Sequence, residues 1–441
     1  MSRVTSDDLE IEALGRCEYA SPLAERLGHH ALHYVGRADR VLLNDNTSKV
    51  LEDRFGPTIL PSFELAGPRD SLYFDPTRLV CGIVTCGGLC PGLNNVVRGL
   101  VVELSRGYGV QRIIGFRYGY EGLAQHQEIG LLQLTPEVVA EAHHKGGTLL
   151  GSSRGNQDPS LMVDQLQALG VGVLFVIGGD GTFRGAMSIV EEVKRRRIAI
   201  AVVGVPKTID NDIHFIDRSF GFETAFSAAV DVIHSAHVEA TGARNGIGLV
   251  KLMGRHSGFI ACYAALASTD VDIVLIPEVP VRLDGERGLL SVLEERLQTQ
   301  RHAVVVVAEG AGQELFRGNE SPARDASGNV RLADIGGLLR ERIQTHFQGK
   351  NITINLKYID PSYHIRSVPA SASDSVYCWN LARNAVHAAL AGNTNMLIGR
   401  WHGSFVHVPM SLATRFRKQV DREGDLWAAV VESTGQPFEF G

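Results

Sequence analysis

The sequence predicts an α/β fold built on parallel strands. Short runs of β-branched and apolar residues recur along the chain, each followed by a glycine or polar turn and then a segment with helical periodicity. Several runs, Val304 to Val307 among them, are apolar at every position, which fits strands covered by helices on both faces. Glycine is the compositional outlier, 48 of 441 residues against a typical share of about 7%, and these glycines gather where the strands end.

In chain order, residues 1–77 stand outside this alternation. They mix polar and apolar segments, carry turn signals at Gly56-Pro57 and Gly67-Pro68, and read as an extension that packs on the body or on another subunit. Strands are expected at 79–86, 112–116, 171–177, 198–205, 246–253, 272–276 and 303–308, and helices at 94–106, 183–197, 223–240 and 373–391. The turn-rich stretch 317–330 reads as an exposed loop.

Composition narrows the function. Apolar residues are 44% and charged residues 21%, with 43 basic against 49 acidic side chains and a net charge of −6. Those values exclude a disordered or nucleic-acid-coating chain. At roughly 150 residues per domain, the length suits two or three domains. An anionic substrate would need a locally basic cleft, because the whole-molecule field does not attract it. The charge-free apolar stretch 257–269 is shorter than the ~20 residues of a membrane span. The polar, acidic N-terminus resembles neither a secretory signal nor a transit peptide. Six dispersed cysteines suit a reducing compartment, so a cytoplasmic protein is expected.

Three clusters each sit directly after an expected strand. Cys86-Gly87-Gly88-Leu89-Cys90-Pro91-Gly92 offers side-chain-free backbone to a phosphate, or is simply a tight turn. In Gly178-Gly179-Asp180-Gly181-Thr182, a carboxylate among glycines can meet a Mg²⁺ that bridges phosphates, although an aspartate in a glycine turn is also an ordinary turn former. Pro206-Lys207-Thr208-Ile209-Asp210-Asn211-Asp212 provides a general-base carboxylate beside a cation, or a helix-capping turn. Arginines follow small residues in Gly151-Ser152-Ser153-Arg154 and in Met253-Gly254-Arg255-His256. The clusters are harder to dismiss together than singly.

Read jointly, these residues resemble the 6-phosphofructokinases of the long, ATP-dependent form found in trypanosomatids and plants, which groups by sequence with pyrophosphate-dependent enzymes. The likeness is carried by Gly178-Gly179-Asp180-Gly181-Thr182, Pro206-Lys207-Thr208-Ile209-Asp210-Asn211-Asp212, Met253-Gly254-Arg255, Ala308-Glu309-Gly310, Lys357-Tyr358-Ile359-Asp360-Pro361-Ser362-Tyr363-His364-Ile365-Arg366 and the lead-in Pro61-Ser62-Phe63-Glu64-Leu65-Ala66-Gly67-Pro68-Arg69. It runs in the family's order from about 61 to about 401. His256, where the family usually has aspartate or tyrosine, is a mild departure.

The resemblance implies two Rossmann-like lobes with parallel sheets flanked by helices: 78–222 plus 367–441 for the nucleotide and 223–366 for the sugar phosphate. It implies transfer of the ATP γ-phosphate to the 1-hydroxyl of fructose 6-phosphate, a glycolytic step, in a homotetramer or homodimer with shared sites. Asp210 would take the hydroxyl proton, supported by Thr208 and Asp212, with Arg255 in the catalytic set. Asp180 would hold Mg²⁺, and Gly87, Gly88, Arg154, Gly179, Gly181, Thr182 and Lys207 would meet the nucleotide. Met253, Gly254, Arg255 and Glu309 would line the sugar site. Tyr363, Arg366 and Lys357 would grip the 6-phosphate, with Arg244 reaching in from a neighbouring subunit. Gly181 is the ATP-type residue, since an aspartate there would crowd and repel the α-phosphate. Lys207 is typical of pyrophosphate users, so a pyrophosphate-dependent enzyme is the alternative to ATP, followed by a lipid or NAD kinase sharing the glycine-aspartate turn.

Other features carry less. Cys81, Cys86 and Cys90 read as core and loop residues rather than a metal site. Lys194-Arg195-Arg196-Arg197 closes a helix, where cations complement the dipole, and without aromatic platforms or overall basicity it does not suggest nucleic acid.

Overall fold

A computed structural model describes residues 4–27, 33–46, 60–124, 130–155, 157–316 and 331–441. The expected loop at 317–330 and the Gly56-Pro57 turn lie outside the described residues. The chain divides into two compact units. Unit 1 holds Met1–Thr208, Ile213–Gly221 and Pro369–Phe416; unit 2 holds Ile209–Asp212, Phe222–Val368 and Arg417–Gly441.

Unit 1 is organised by a nine-stranded sheet. At its centre Met396–Trp401, Ala201–Pro206, Val171–Gly178, Val80–Thr85 and Arg112–Phe116 run parallel in that spatial order. Val171–Gly178 and Ala201–Pro206 are apolar throughout, which follows from burial on both sides. Val84, Leu174, Val176, Val202 and Leu397 pack against Met162 of the Pro159–Ala168 helix and Phe183 and Ile189 of the Asp180–Arg196 helix. The basic end of that second helix does more than answer its dipole. Arg196 bonds Glu192 at 2.6 Å, Gln167 at 2.8 Å and Ser160 Oγ at 2.9 Å, clamping the two helices together.

The extension is built into this sheet. Arg40–Leu42 and Ser62–Leu65 add antiparallel to one edge through Ser404–Pro409. Glu64 is buried between Arg69 at 2.5 Å and His407 at 3.3 Å. The hairpin of Met396–Trp401 with Ser404–Pro409 was not expected from the sequence. Its two-residue turn, His402-Gly403, has both φ angles positive, at 47° and 81°, the geometry that matches strand twist.

Unit 2 has a four-stranded parallel sheet in the order Ile273–Leu275, His302–Ala308, Gly246–Leu252, Asn355–Ile359. Ile247, Leu249, Val305 and Val307 pack against Leu293 of the Leu289–Gln300 helix and Leu339, Ile343 and Phe347 of the Ile335–Gly349 helix. Residues 417–441 group with this unit, whereas the sequence reading returns 367–441 whole to the first lobe. The cause is visible at the sheet edge. Gln436 imitates a paired strand, its Oε1 accepting from Val274 N at 2.6 Å and its Nε2 donating to Val274 O at 3.2 Å. Trp427, fully buried, secures the same segment.

The strand that leads to Lys207 is tightly packed at Gly204, where a Cβ would lie 2.6 Å from Phe183 Cε1 and 2.9 Å from Leu397 Cβ. Gly204→Ala should therefore destabilise the fold by about 1–3 kcal/mol. An unchanged urea midpoint would contradict this packing.

Candidate active site

In unit 1 the chain leaves Val80–Thr85 toward Arg112–Phe116 on one side and later returns as Val171–Gly178 on the other. The adjacent carboxyl ends of Val80–Thr85 and Val171–Gly178 thus form a topological switch point, where open α/β sheets bind ligands. Both glycine clusters emerge there, tied by Cys86 N donating to Ile177 O at 2.9 Å. Lys207 N donates to Gly178 O at 2.8 Å, and its buried ammonium donates to Gly88 O at 2.7 Å. Ser152 Oγ donates to Gly87 O at 2.6 Å. A Cβ on Gly88 would lie 3.6 Å from Arg154 Nη2. The bare Gly87-Gly88 backbone therefore has two cations close by, Lys207 and Arg154.

Asp180 opens the Asp180–Arg196 helix, and its Oδ2 accepts from Arg184 Nη2 at 2.9 Å. Gly179 is the N-cap, and Thr182 O accepts from the buried Tyr120 hydroxyl at 2.7 Å. Gly181 lies in the first helical turn with no positive φ, and a Cβ there would meet no atom within 4 Å. Neither packing nor backbone conformation demands glycine at that position. Thr208 O accepts from Ser219 Oγ.

In unit 2 the carboxyl ends of Gly246–Leu252 and His302–Ala308 carry Arg255 and Glu309, and residues 209–212, which follow Ala201–Pro206, group with this unit and bring Asp210 to them. Asp210 Oδ2 accepts from Arg255 N at 3.3 Å, and its backbone O accepts from Ser257 Oγ at 3.0 Å. Its Oδ1 is sealed from solvent and makes no hydrogen bond. Burial, then the carboxylates of Asp212 and Glu309, push the Asp210 carboxyl up to about 7, against the downward pull of Arg255. Glu309 is also raised, chiefly by burial, with Arg255 and Lys251 opposing.

Backbone pairing fixes this grouping. Glu309 N donates to Leu252 O at 2.9 Å and Gly310 N to Gly254 O at 3.0 Å, so the turn after His302–Ala308 is laced onto the turn after Gly246–Leu252. Gly254 holds φ +131°, and a Cβ there would lie 2.6 Å from Ser257 O, so a side chain is excluded. Met253 precedes it, half-buried.

After Asn355–Ile359, the Ser362–Ser367 helix presents Tyr363, 76% exposed, with the Arg366 guanidinium 4.6 Å from its ring centre. Asp360 anchors this corner, accepting from Ser362 N at 3.2 Å and pairing with Lys251 Nζ at 2.8 Å. Sequence reasoning missed Lys251, a strand residue without a motif around it.

Two expected ligands sit elsewhere. Lys357 is exposed in mid-strand, in register with Gly248, four positions before Leu252, a distance of about 13 Å from the strand end. Arg244 is exposed just before the opposite, N-terminal end of Gly246–Leu252. Among the described residues no group of three or more His, Cys, Asp or Glu side chains could hold a metal.

Comparison with known proteins agrees with this geometry. The family model for phosphofructokinase matches residues 80–389. The chain is 55% identical to an ATP-dependent 6-phosphofructokinase of Amycolatopsis methanolica, over 99% of this chain and 96% of the relative. It is 44% identical to an ATP-dependent 6-phosphofructokinase of Trypanosoma brucei brucei, over 98% of this chain and 88% of the relative. The fold resembles a solved pyrophosphate-dependent phosphofructokinase from Marinobacter aquaeolei, with a TM-score of 0.66 and 20% identity over 82% of this chain and 92% of that one.

The raised Asp210 carboxyl has a consequence for stability. Its folded value, about 7, lies above the ordinary 3.8. The cost of its charge is therefore absent below pH ~4, grows as pH rises and is complete above ~7. Asp210→Ser should raise the melting temperature by a margin that widens across that window, as thermal unfolding at several pH values would show. A margin independent of pH would contradict the burial argument.

Proposed function

This chain is a member of the phosphofructokinase family, and we infer that it is an ATP-dependent 6-phosphofructokinase, transferring the γ-phosphate of ATP to the 1-hydroxyl of fructose 6-phosphate. The observation that carries the reading is the sealed, unpartnered Oδ1 of Asp210, on a carboxyl poised near neutral pH. A general base works best with its pKa near the working pH. Asp210 takes the hydroxyl proton while Arg255 N holds its other oxygen.

The remaining roles rest on what each side chain can do. Gly87, Gly88, Gly179, Gly181 and Thr182 offer the donor backbone and space, while Lys207 and Arg154 balance its charge. Thr208 and Asp212 flank the base on either side in sequence. Arg255, Met253, Gly254 and Glu309 line the sugar, and Tyr363 with Arg366 takes the 6-phosphate. In phosphoryl transfer such positioning and charge neutralisation supply most of the acceleration.

A single carboxylate at a helix start suits Mg²⁺, which is commonly held by one or two carboxylates together with substrate phosphates and waters. Asp180 would hold it, and the ion would neutralise charge on the transferring phosphates. Arg244, remote along its own strand, serves a 6-phosphate only from another copy, in keeping with a homo-oligomer. We read the protein as a cytoplasmic enzyme of glycolysis. Among the described residues no helix is long and apolar enough to cross a membrane.

Gly181 favours ATP over pyrophosphate, because the open space beside it would admit the α-phosphate. Lys207 is the residue that points toward pyrophosphate, yet its ammonium serves the loop carbonyl of Gly88.

Asp210→Ser should lower kcat by about 10²–10⁴-fold with the KM for fructose 6-phosphate little changed. Steady-state assays decide this, and near-normal turnover would sink the assignment. In the wild type kcat should fall as pH drops below about 7, because only the ionised base accepts a proton. With purified protein, MgATP should support turnover where pyrophosphate does not. Gly181→Asp should raise the KM for ATP by roughly tenfold or more through like-charge repulsion. An unaltered KM would remove the argument from space at that position.

A further inference from the structure

The tail beyond the family match holds residues with no role in the chemistry of phosphoryl transfer. Four successive residues, 417–420, each bond to the loops that carry Asp210 or to their support. Arg417 Nη1 lies 3.3 Å from Asp212 Oδ2, and Lys418 N donates to Asp212 O at 2.9 Å. Gln419 Nε2 donates to His256 O at 3.0 Å. Val420 N donates to Glu278 Oε1 at 2.8 Å, and the same oxygen accepts from Gly258 N at 3.0 Å. Glu278 is thereby a half-buried junction between the tail and the turn that supplies Arg255 N to the base.

These loops need an external tie. Asn211, between the two carboxylates, is in the left-handed conformation with φ 56°, a state tolerated by asparagine but not preferred. Asp210 and Asp212 carry like charge at close range, so the turn that joins them is self-repelling. The guanidinium of Arg417 offsets Asp212, and the backbone bond from Lys418 pins the carbonyl of the same residue. The far end of the tail is fixed by Trp427, by Gln436 on Val274 and by Gly441 N donating to Arg287 O at 3.2 Å. The Lys418 ammonium lies 5.2 Å from the centre of the Phe259 ring, holding the near end.

We propose that 417–420 is a positioning strap, in which Arg417 holds Asp212 while Gln419, Val420 and Glu278 hold the 256–258 turn, so that Asp210 keeps the orientation in which it receives the hydroxyl proton. This rests on the reading of Asp210 as the base. Arg417 is a positioning residue: it acts through Asp212 and need not touch substrate.

The test compares wild type, Arg417→Ala, Arg417→Lys, Gln419→Ala and Asp210→Ser as full-length protein, by steady-state kinetics with MgATP and fructose 6-phosphate and by thermal unfolding. Arg417→Ala should lower kcat roughly tenfold or more, with the KM for fructose 6-phosphate within about threefold of wild type. Arg417→Lys should recover most of the loss, because it restores a cation opposite Asp212. Gln419→Ala should lower kcat less, in the same direction, and provides a second variant should Arg417→Ala fold poorly. Wild-type kcat in both alanine variants, or a lysine variant no better than alanine, overturns the strap while an inactive Asp210→Ser leaves the base standing. Normal turnover by Asp210→Ser overturns the base, and the strap with it.

Discussion

The structure of unit 2 is arranged around one electrostatic constraint: three carboxylates, Asp210, Asp212 and Glu309, are held close enough that Asp212 and Glu309 raise the proton affinity of Asp210. Left alone they would separate or protonate. Arg255 opposes both burial and repulsion, lowering Asp210 and Glu309 alike, while its own backbone N–H donates to Asp210. Lys251, braced by Asp360, adds a second cation toward Glu309. The rigid parallel sheet makes this tolerable, because backbone bonds from Glu309 and Gly310 to the neighbouring turn hold the groups where their charges alone would not.

Unit 1 solves the opposite problem of gathering positive charge on a mildly acidic protein. It places Lys207 and Arg154 against a loop without side chains, at the end of two strands whose connections diverge. The whole chain carries a net charge of −6, so attraction for an anionic donor has to be local. In both units charged groups stand at the carboxyl ends of parallel strands, Lys207 beside the glycine loops in unit 1 and Arg255 with Glu309 in unit 2.

Legibility differed by residue for physical reasons. The runs 171–177 and 303–308 read as strands because burial on both faces leaves a continuous apolar signature, and the structure extends each by one residue. The hairpin at Met396–Trp401 and Ser404–Pro409 carried its signal in His402-Gly403, a turn pair that the helical and parallel-strand patterns overshadowed. The 1–77 extension gave no sign that it would complete a sheet, since two short strands, 40–42 and 62–65, have almost no periodicity. Lys357 lies inside a recognisable motif yet stands in mid-strand, whereas Lys251 has no motif and joins the site through register alone.

Sequence alone marked the candidate groups, because glycines at strand ends, an acid among glycines and a paired aspartate turn are local chemistry written in adjacent residues. It also determined the parallel α/β class, through apolar runs that only two-sided burial explains. Tertiary structure decided which carboxylate is raised and by whom, since sheet order sets Arg255 and Glu309 at neighbouring strand ends and the fold brings both to Asp210. It also decided that residues 417–420 return to the Asp210 turn, a contact between segments about two hundred residues apart and invisible to any local pattern. Spacing along the chain encodes neighbours within a few residues, while distances across a sheet are fixed only when its hydrogen bonds choose a register.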